Sequence, residues 1–122
     1  MTVKIESYRE LIVWQQAMDL ATSIYEATKS WPKEELYGLT TQTRRAATSV
    51  PANIAEGYGR ESRATYQQFL RIAQGSLKEL ETHLLIAHRI GIVASETVES
   101  LMTRTESVGK LLRLLIRKLS TD

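Results

Sequence analysis

The chain contains no cysteine, which excludes disulfide bonds, thiolate metal sites and cysteine nucleophiles. Only two prolines and six glycines are present, too little turn material for an all-β fold. No stretch approaches the ~18 consecutive apolar residues of a membrane-spanning helix, and the polar N-terminus lacks the apolar segment of a secretory signal. These absences lead us to expect a soluble, cytoplasmic protein.

The residues that are present have the composition of one globular domain. The 122 residues are 43% hydrophobic and 25% charged, values that argue against disorder and allow a single core. We therefore expect one domain over residues 1–122. The 16 basic residues nearly balance the 14 acidic ones, so the net charge of +2 by itself indicates no partner.

Hydrophobic residues recur at intervals of three and four along four segments, as they do in amphipathic helices. The breaks between the segments are marked by Trp31-Pro32, Gly57, Gly59, Ser62, Gly91 and Ser95. Proline and glycine are typical of helix ends, and serine is typical of helix starts. The predicted helices cover about residues 8–30, 36–57, 62–90 and 95–119. Because connections this short favour antiparallel neighbours, the predicted fold is all-α, an antiparallel up-down-up-down four-helix bundle.

Each predicted helix has one face that should be buried. A capping box of Ser7 and Glu10 should start the first helix. Its buried stripe is predicted to be Leu11, Trp14, Met18, Ala21, Tyr25 and Thr28. The third helix carries two apolar rows, one from Tyr66 to Ile90 and one through Leu77, and a face this wide can also serve a neighbouring subunit. The seam of the fourth helix is predicted to be Val98, Leu101, Thr105, Val108, Leu112, Leu115 and Leu119.

Side chains typical of catalysis are sparse. The two histidines, His83 and His88, are five residues apart and lie on different faces of one helix. Glu79 shares a face with His83, but a di-iron bundle needs a second such pair, so a hydrogen-bonded core histidine and a surface histidine are favoured. The glycines around Tyr58 follow a helix and not a strand, which argues against a phosphate-binding loop. We expect no enzymatic activity, no metal and no cofactor.

The basic residues are unevenly distributed. Residues 36–75 hold five bases against two acids, and residues 107–119 hold four bases and no acid. Alternating helix directions bring the end of the second helix, the start of the third and the end of the fourth to one end of the bundle, near Lys4 and Arg9. We call this end the basic pole, and its cations are Arg60, Arg63, Arg71, Arg113, Arg117 and Lys118. They suffice for contact with a phosphate backbone. Alternatively, the cations of the fourth helix simply complement the negative end of its dipole.

The segment from Arg44 to Gly57 has an unusual composition. Asn53 and Glu56 share one helical face among alanines, where they form either a polar network that fixes helix register or a ligand site. Glu56 near a helix C-terminus opposes the dipole, so something should compensate it, and a residue of the third helix or of a neighbouring chain could serve. Gly75 indicates a tight contact between helices, since glycine in mid-helix otherwise costs about 1 kcal/mol.

Five segments of the chain form a recognisable set. They are Leu11-Ile-Val-Trp14-Gln-Gln-Ala-Met, Glu35-Leu-Tyr-Gly-Leu39, Gln42-Thr-Arg-Arg45-Ala-Ala, Ser49-Val-Pro-Ala-Asn-Ile-Ala-Glu-Gly57 and Gly75-Ser-Leu-Lys-Glu-Leu-Glu81. Together they resemble the bacterial four-helix bundle family encoded in intervening sequences of 23S ribosomal RNA genes, also labelled ribosomal protein S23. The resemblance spans about residues 8–119. Its most specific part is Asn-Ile-Ala-Glu-Gly with the upstream Gln-x-Arg-Arg.

The resemblance implies a four-helix bundle, assembly into a homopentamer and no enzymatic activity. The chain is also similar to the accessory variability determinant of diversity-generating retroelements, a basic pentameric bundle that binds nucleic acid and a reverse transcriptase. The residues that match the family motif are Gln42, Asn53, Glu56, Gly57, Gly75 and Glu79. We expect an oligomeric bundle that binds RNA or DNA phosphates through the basic pole together with Arg44 and Arg45. The alternative is a module that docks a protein partner and never contacts nucleic acid.

Overall fold

Four long α-helices pack side by side as an antiparallel bundle. A computed structural model describes residues 6–121. Its helices are α1 (Ile12–Thr28), α2 (Thr41–Tyr58), α3 (Arg63–Arg89) and α4 (Ser95–Thr121). Helix α2 packs against α1 and α3, α3 packs against α4, and contacts between α1 and α4 close the bundle. The predicted all-α four-helix bundle is confirmed. Within residues 6–121, none of the helices has the length and apolar character needed to span a bilayer.

Helix α1 begins later than predicted. Ser7 caps a separate 3-10 turn over Tyr8–Glu10, in which Ser7 Oγ accepts the Arg9 N–H at 3.1 Å. Leu11 is extended (φ −71°, ψ 125°) and separates this turn from α1. The predicted capping box is therefore wrong as the start of α1, because the chain leaves the helical conformation between the cap and the helix.

Helix α2 also begins later than predicted. A 3-10 turn over Lys33–Glu35 and a π-helical turn over Leu36–Thr40 precede it. Gly38 departs from helical dihedral angles (φ −120°, ψ −109°), so these two turns are not a continuation of α2. Pro51 is buried within α2, and the helix continues beyond it to Tyr58, so the proline does not end the helix.

The later helix boundaries follow the sequence signals more closely. Ser62 Oγ accepts the Thr65 N–H at 3.1 Å and caps α3 as predicted. Gly91 adopts a left-handed conformation (φ 82°) just beyond the end of α3, a role that favours glycine. Ser95 is the first residue of α4, and its hydroxyl lies 2.8 Å from Nε2 of His88. Ser95, predicted as the cap, is thus the first helical residue, and its hydroxyl joins α3 to α4.

The buried face of α1 differs from the predicted stripe. The buried residues are Val13, Ala17, Leu20, Ala21, Ile24 and Thr28. Met18 and Tyr25, which were predicted to be buried, are 41% and 43% exposed. Helix α1 is apolar on two adjacent faces, so periodicity alone did not decide which face meets the core. The displaced side chains line an open groove between α1 and α2.

Most of the apolar residues on the predicted faces of α3 and α4 are buried in the core of the bundle. In α3, buried residues come from both predicted rows and extend from Leu70 to Ala87. Contacts with both α2 and α4 account for the width of this face. In α4 the predicted seam is buried as far as Leu112. Beyond it Ile116 is buried, whereas Leu115 and Leu119, which were predicted to be buried, are half-buried.

Candidate nucleic-acid interface

A cleft of about 560 Å³ lies between α3 and α4, and we call it the α3–α4 cleft. Two contacts fix the register of its walls. Gln67 Nε2 donates to the Ile116 carbonyl oxygen at 3.2 Å, and Thr105 Oγ1 lies 3.3 Å from Oε2 of Glu81. This antiparallel register aligns Arg71 with the level of Arg113. The basic residues that line the cleft are Arg71, Lys78, Lys110 and Arg113.

Three of these cations have no partner among the residues that the structure describes. Within residues 6–120, Arg71, Lys110 and Arg113 form no ion pair, hydrogen bond or ring contact. All three are exposed. Like charges that share a cleft repel each other, so the site is electrostatically prepared for an anion.

The other end of the cleft is acidic. Glu81 is the more enclosed carboxylate, with its side chain 14% exposed, and its Oε1 pairs with Lys78 Nζ at 3.3 Å. Thr105 is fully buried beside it and donates to the Met102 carbonyl oxygen at 2.8 Å. Glu106 also lines this end. The charge of the cleft therefore changes sign along its length.

The remaining cations of the basic pole are dispersed around it. Arg60 pairs with Glu56 at 3.6 Å, and its guanidinium lies 5.0 Å from the ring centre of Phe69. Arg63 opens α3, while Arg117 and Lys118 are exposed near the end of α4. The structure thus brings Arg71 and Arg113 together in one cleft and leaves the other four predicted cations outside it. Lys4, expected near this pole, lies outside the described residues.

Arg44 and Arg45 lie near the start of α2, away from the basic pole. Arg44 Nε donates to Thr28 Oγ1 at 2.8 Å, and its guanidinium lies 4.8 Å from the ring centre of Tyr25. These contacts give Arg44 a structural role between α1 and α2. Arg45 is exposed and borders a small polar depression of about 240 Å³. Gln42 and Glu79, both from the family motif, also line that depression.

Asn53 belongs to a polar network that joins α2 to α3. Its Nδ2 donates to the carbonyl oxygen of Ser49 at 2.8 Å and to Ser49 Oγ at 2.9 Å. Ser49 Oγ is in turn 2.8 Å from Oγ of Ser76 on α3. Glu56 is not part of this network. Within the chain it pairs with Arg60, just beyond the end of α2, and not with a residue of α3.

The two motif glycines have roles opposite to those predicted. Gly57 and Gly59 were both candidate C-caps of α2, but Gly57 is buried inside the helix, and a Cβ there would lie 2.7 Å from Phe69 Cβ. Gly59 is the C-cap. Gly75 was expected at a tight helix contact, yet a Cβ there would meet nothing within 4 Å because it faces the α3–α4 cleft.

Two tyrosines flank the close approach at Gly57. The rings of Tyr58 and Tyr66 meet edge to face with centroids 6.1 Å apart. Burial, with a smaller contribution from the neighbouring Tyr58, raises the pKa of Tyr66 to about 12. A phenol of this kind stays neutral throughout the physiological range and acts here as a packing residue.

In the described part of the chain, neither histidine belongs to a group of three side chains that could hold a metal ion. Among the described residues, no three His, Cys, Asp or Glu side chains group closely enough to hold an ion. His83 is buried, and its Nδ1 has no hydrogen-bond partner, so the prediction of a satisfied core histidine is wrong at that atom. His88 is on the surface, as predicted.

Sequence reasoning missed several residues of the cleft. They are Lys78, Glu106, Gly109 and Lys110. A spacing signal was available, because Arg71, Gly75 and Lys78 follow one another at intervals of three and four on α3. A similar spacing relates Glu106, Lys110 and Arg113 on α4. Only the register between the helices shows that these two faces oppose each other.

Comparison with known proteins identifies relatives of the whole bundle. The sequence profile of the 23S rRNA-intervening sequence protein family matches residues 9–114. The fold is also similar to the crystal structure of a protein with unknown function from the S23 ribosomal protein family of Bacteroides thetaiotaomicron VPI-5482. That match has a TM-score of 0.81 and 28% sequence identity, and it covers 87% of this chain and 96% of the other. Among curated proteins no match was found. The chain belongs to the 23S rRNA-intervening sequence protein family.

Proposed function

We propose that this protein is a non-enzymatic, oligomeric bundle of the cytoplasm that binds RNA or DNA phosphates through its basic pole. The observation that carries the proposal is the set of unpaired cations at the α3–α4 cleft, Arg71, Lys110 and Arg113. A phosphate can approach each of them without breaking an ion pair formed by the described residues. Such contacts release counterions, so binding should be sensitive to salt and largely independent of sequence.

Helix-end electrostatics does not account for the two arginines of the cleft. Arg113 lies eight residues before the last residue of α4, Thr121, whereas the effect of a helix dipole falls off within about one turn. Arg71 lies in the first half of α3, nearer the end at which a dipole favours acids. Lys118 lies in the last turn of α4, where the dipole suffices as an explanation.

Self-association is the second part of the proposal. The groove between α1 and α2 has a volume of about 500 Å³ and an apolar lining. Its lining includes Trp14, Met18, Tyr25, Pro51 and Ala52. An exposed apolar groove on a small domain is typical of an interface. The family resemblance suggests five subunits, and repeated weak phosphate sites would then bind one nucleic acid with increased avidity.

Charge reversal at the basic pole tests this function. In a filter-binding assay at low salt, Arg113→Glu with Arg117→Glu should weaken binding to structured RNA by at least about tenfold, because each reversal replaces attraction to phosphate by repulsion. The slope of log affinity against log salt should decrease in magnitude by about 2.

A matched control has the same change in net charge at the opposite pole. Lys33 and Arg89 are exposed there and form no ion pair with the described residues. Lys33→Glu with Arg89→Glu should therefore change affinity by much less than the pole variant. Equal losses of affinity in the two double variants would show that only net charge matters. Unchanged affinity in Arg113→Glu with Arg117→Glu would contradict phosphate binding at the basic pole.

A protein-docking module is the second candidate function. The observation that favours it is Tyr37, which is 94% exposed beside the 41% exposed Leu36 on the connection before α2. An exposed aromatic residue of this kind is typical of an interface anchor. If the wild-type oligomer fails to bind any nucleic acid at low salt, this surface becomes the leading site.

A further inference from the structure

The α3–α4 cleft is open because two glycines leave its walls without side chains. A Cβ added at Gly75 would meet nothing within 4 Å. A Cβ at Gly109 would make only ordinary contacts, 3.7 Å from Arg113 Nη1 and 3.9 Å from Leu77 Cδ1. Glycine inside a helix lowers its stability relative to alanine, and here no close helix packing within the chain requires it. The glycines preserve space that the bundle itself does not fill.

The charges of the cleft fit a ligand with one anionic end. Arg71 and Arg113 lie toward one end, and Glu81 and Glu106 lie toward the other. Arg71 and Glu81 are ten residues apart on α3, which corresponds to about 15 Å along the helix. A phosphate is attracted to the first end. At the other end Lys78 already pairs with Glu81, and a second phosphate would also meet the carboxylate of Glu106. A nucleic-acid backbone that followed the whole cleft would therefore be disfavoured.

The size and lining of the cleft limit the ligand further. A volume of about 560 Å³ is in the usual range for a small-molecule site. Between Arg71 and Glu81 the lining includes the two uncharged glycines and the largely buried Leu77. A base that is paired in a duplex cannot enter a concave slot between two helices unless it leaves the base stack. The shape thus favours an unpaired nucleotide.

We infer that the α3–α4 cleft seats a single unpaired nucleotide. Its phosphate lies between Arg71 and Arg113, and its uncharged sugar and base lie over Gly75, Leu77 and Gly109. This inference rests on the proposed binding of nucleic acid and names the unit that the cleft takes. The nucleotide can come from a single strand or from the free pool, and the experiment below separates these sources.

The direct test is a titration with cytidine monophosphate followed by NMR of the protein amides. The amides of Gly75 and Gly109 should shift on binding. Gly75→Leu fills the cleft without changing any charge and should weaken this binding by about tenfold or more. Ser107→Leu is the control, because Ser107 is exposed on α4 and lies outside the cleft lining. Arg71→Gln, which leaves the cleft open, should also weaken binding.

Two results would contradict the binding of a single nucleotide in the α3–α4 cleft. One is equal affinity for inorganic phosphate and cytidine monophosphate, which would show that the sugar and base make no contribution. The other is unchanged binding by Gly75→Leu when circular dichroism shows that the variant is folded. Shifts of the two glycine amides that the Ser107→Leu control retains and Gly75→Leu loses would support the seat.

Binding to strands separates this inference from the proposed function. Gly75→Leu should weaken binding to a single-stranded RNA by about tenfold and change duplex binding by less than about twofold, because all phosphate-binding charges remain. If Gly75→Leu binds single-stranded RNA and the duplex as tightly as the wild type does, the nucleotide site is wrong and the proposed function still stands. If cytidine monophosphate binds at Gly75 and neither strand binds, the seat stands as a site for free nucleotides and the proposed function fails.

Discussion

Gly57 and Gly75 have different roles in this bundle. Gly57 allows a close contact between helices, whereas Gly75 leaves space open. Gly57→Ala places a methyl group 2.7 Å from Phe69 Cβ and 3.2 Å from the Tyr66 carbonyl oxygen. We expect it to lower the free energy of unfolding by about 1–3 kcal/mol, since overpacking outweighs the gain in helix propensity. Gly75→Ala meets no atom and should raise stability by up to about 1 kcal/mol. Urea denaturation measures both, and a Gly57→Ala variant as stable as Gly75→Ala would contradict the close approach.

The half-buried phenol of Tyr66 makes stability depend on pH at high pH. Its pKa is about 12 in the folded chain and 10.0 for the unperturbed group. The folded state therefore holds this proton more tightly, so the stabilisation is complete below pH 10 and is lost as the pH rises toward 12. In an ultraviolet titration, Tyr66→Phe should remove the tyrosinate absorbance that develops near pH 12. A titration unchanged at that pH would contradict the burial of Tyr66.

At the scale of helices, a polar contact joins α2 to α3 through Ser49 and Ser76. The hydroxyls are 2.8 Å apart, and Asn53 supports Ser49 from the next turn of α2. A double-mutant cycle with Ser49→Ala and Ser76→Ala should give a coupling of about 0.5–1.5 kcal/mol in unfolding free energy. Additive losses in the two single variants would mean that this contact does not contribute to the register of the helices.

Sequence periodicity predicted the number, order and approximate bounds of the helices, because each has a long apolar stripe and recognisable ends. It did not predict which face of α1 is buried, since Val13 and Trp14 begin two adjacent apolar stripes. It also did not predict that Gly38 would leave the helical conformation and that α2 would begin only at Thr41, because the residues around Gly38 are compatible with a continuous helix.

The candidate site was predictable only in part. Arg71 and Arg113 were expected at one pole from helix direction, and the structure places them on one cleft. The open space at Gly75 depends on which neighbour it faces, and the residue type does not contain that information. The contacts of Arg44 with Thr28 and Tyr25 likewise require the packing of α1 on α2.

At the scale of the whole molecule, the α1–α2 groove should control assembly. Met18 is 41% exposed in this groove, and Met18→Glu would bury a charge in any interface built on it. We expect this variant to sediment as a smaller species than the wild type in analytical ultracentrifugation. Ile72→Glu is the control, because Ile72 is 52% exposed on α3 and lies outside the groove. Dissociation caused by Ile72→Glu alone would place the interface on α3.

Electrostatic binding of phosphates by the basic pole is the central feature of the function proposed for this protein. The measurement that tests this most directly is the affinity of the purified protein for structured RNA and duplex DNA across a range of salt concentrations, with its oligomeric mass determined alongside. The three cations of the α3–α4 cleft that have no ion pair with the described residues, Arg71, Lys110 and Arg113, predict a slope of log affinity against log salt of about −3 or steeper on duplex DNA. A well-formed oligomer that binds neither nucleic acid at low salt would contradict the central claim.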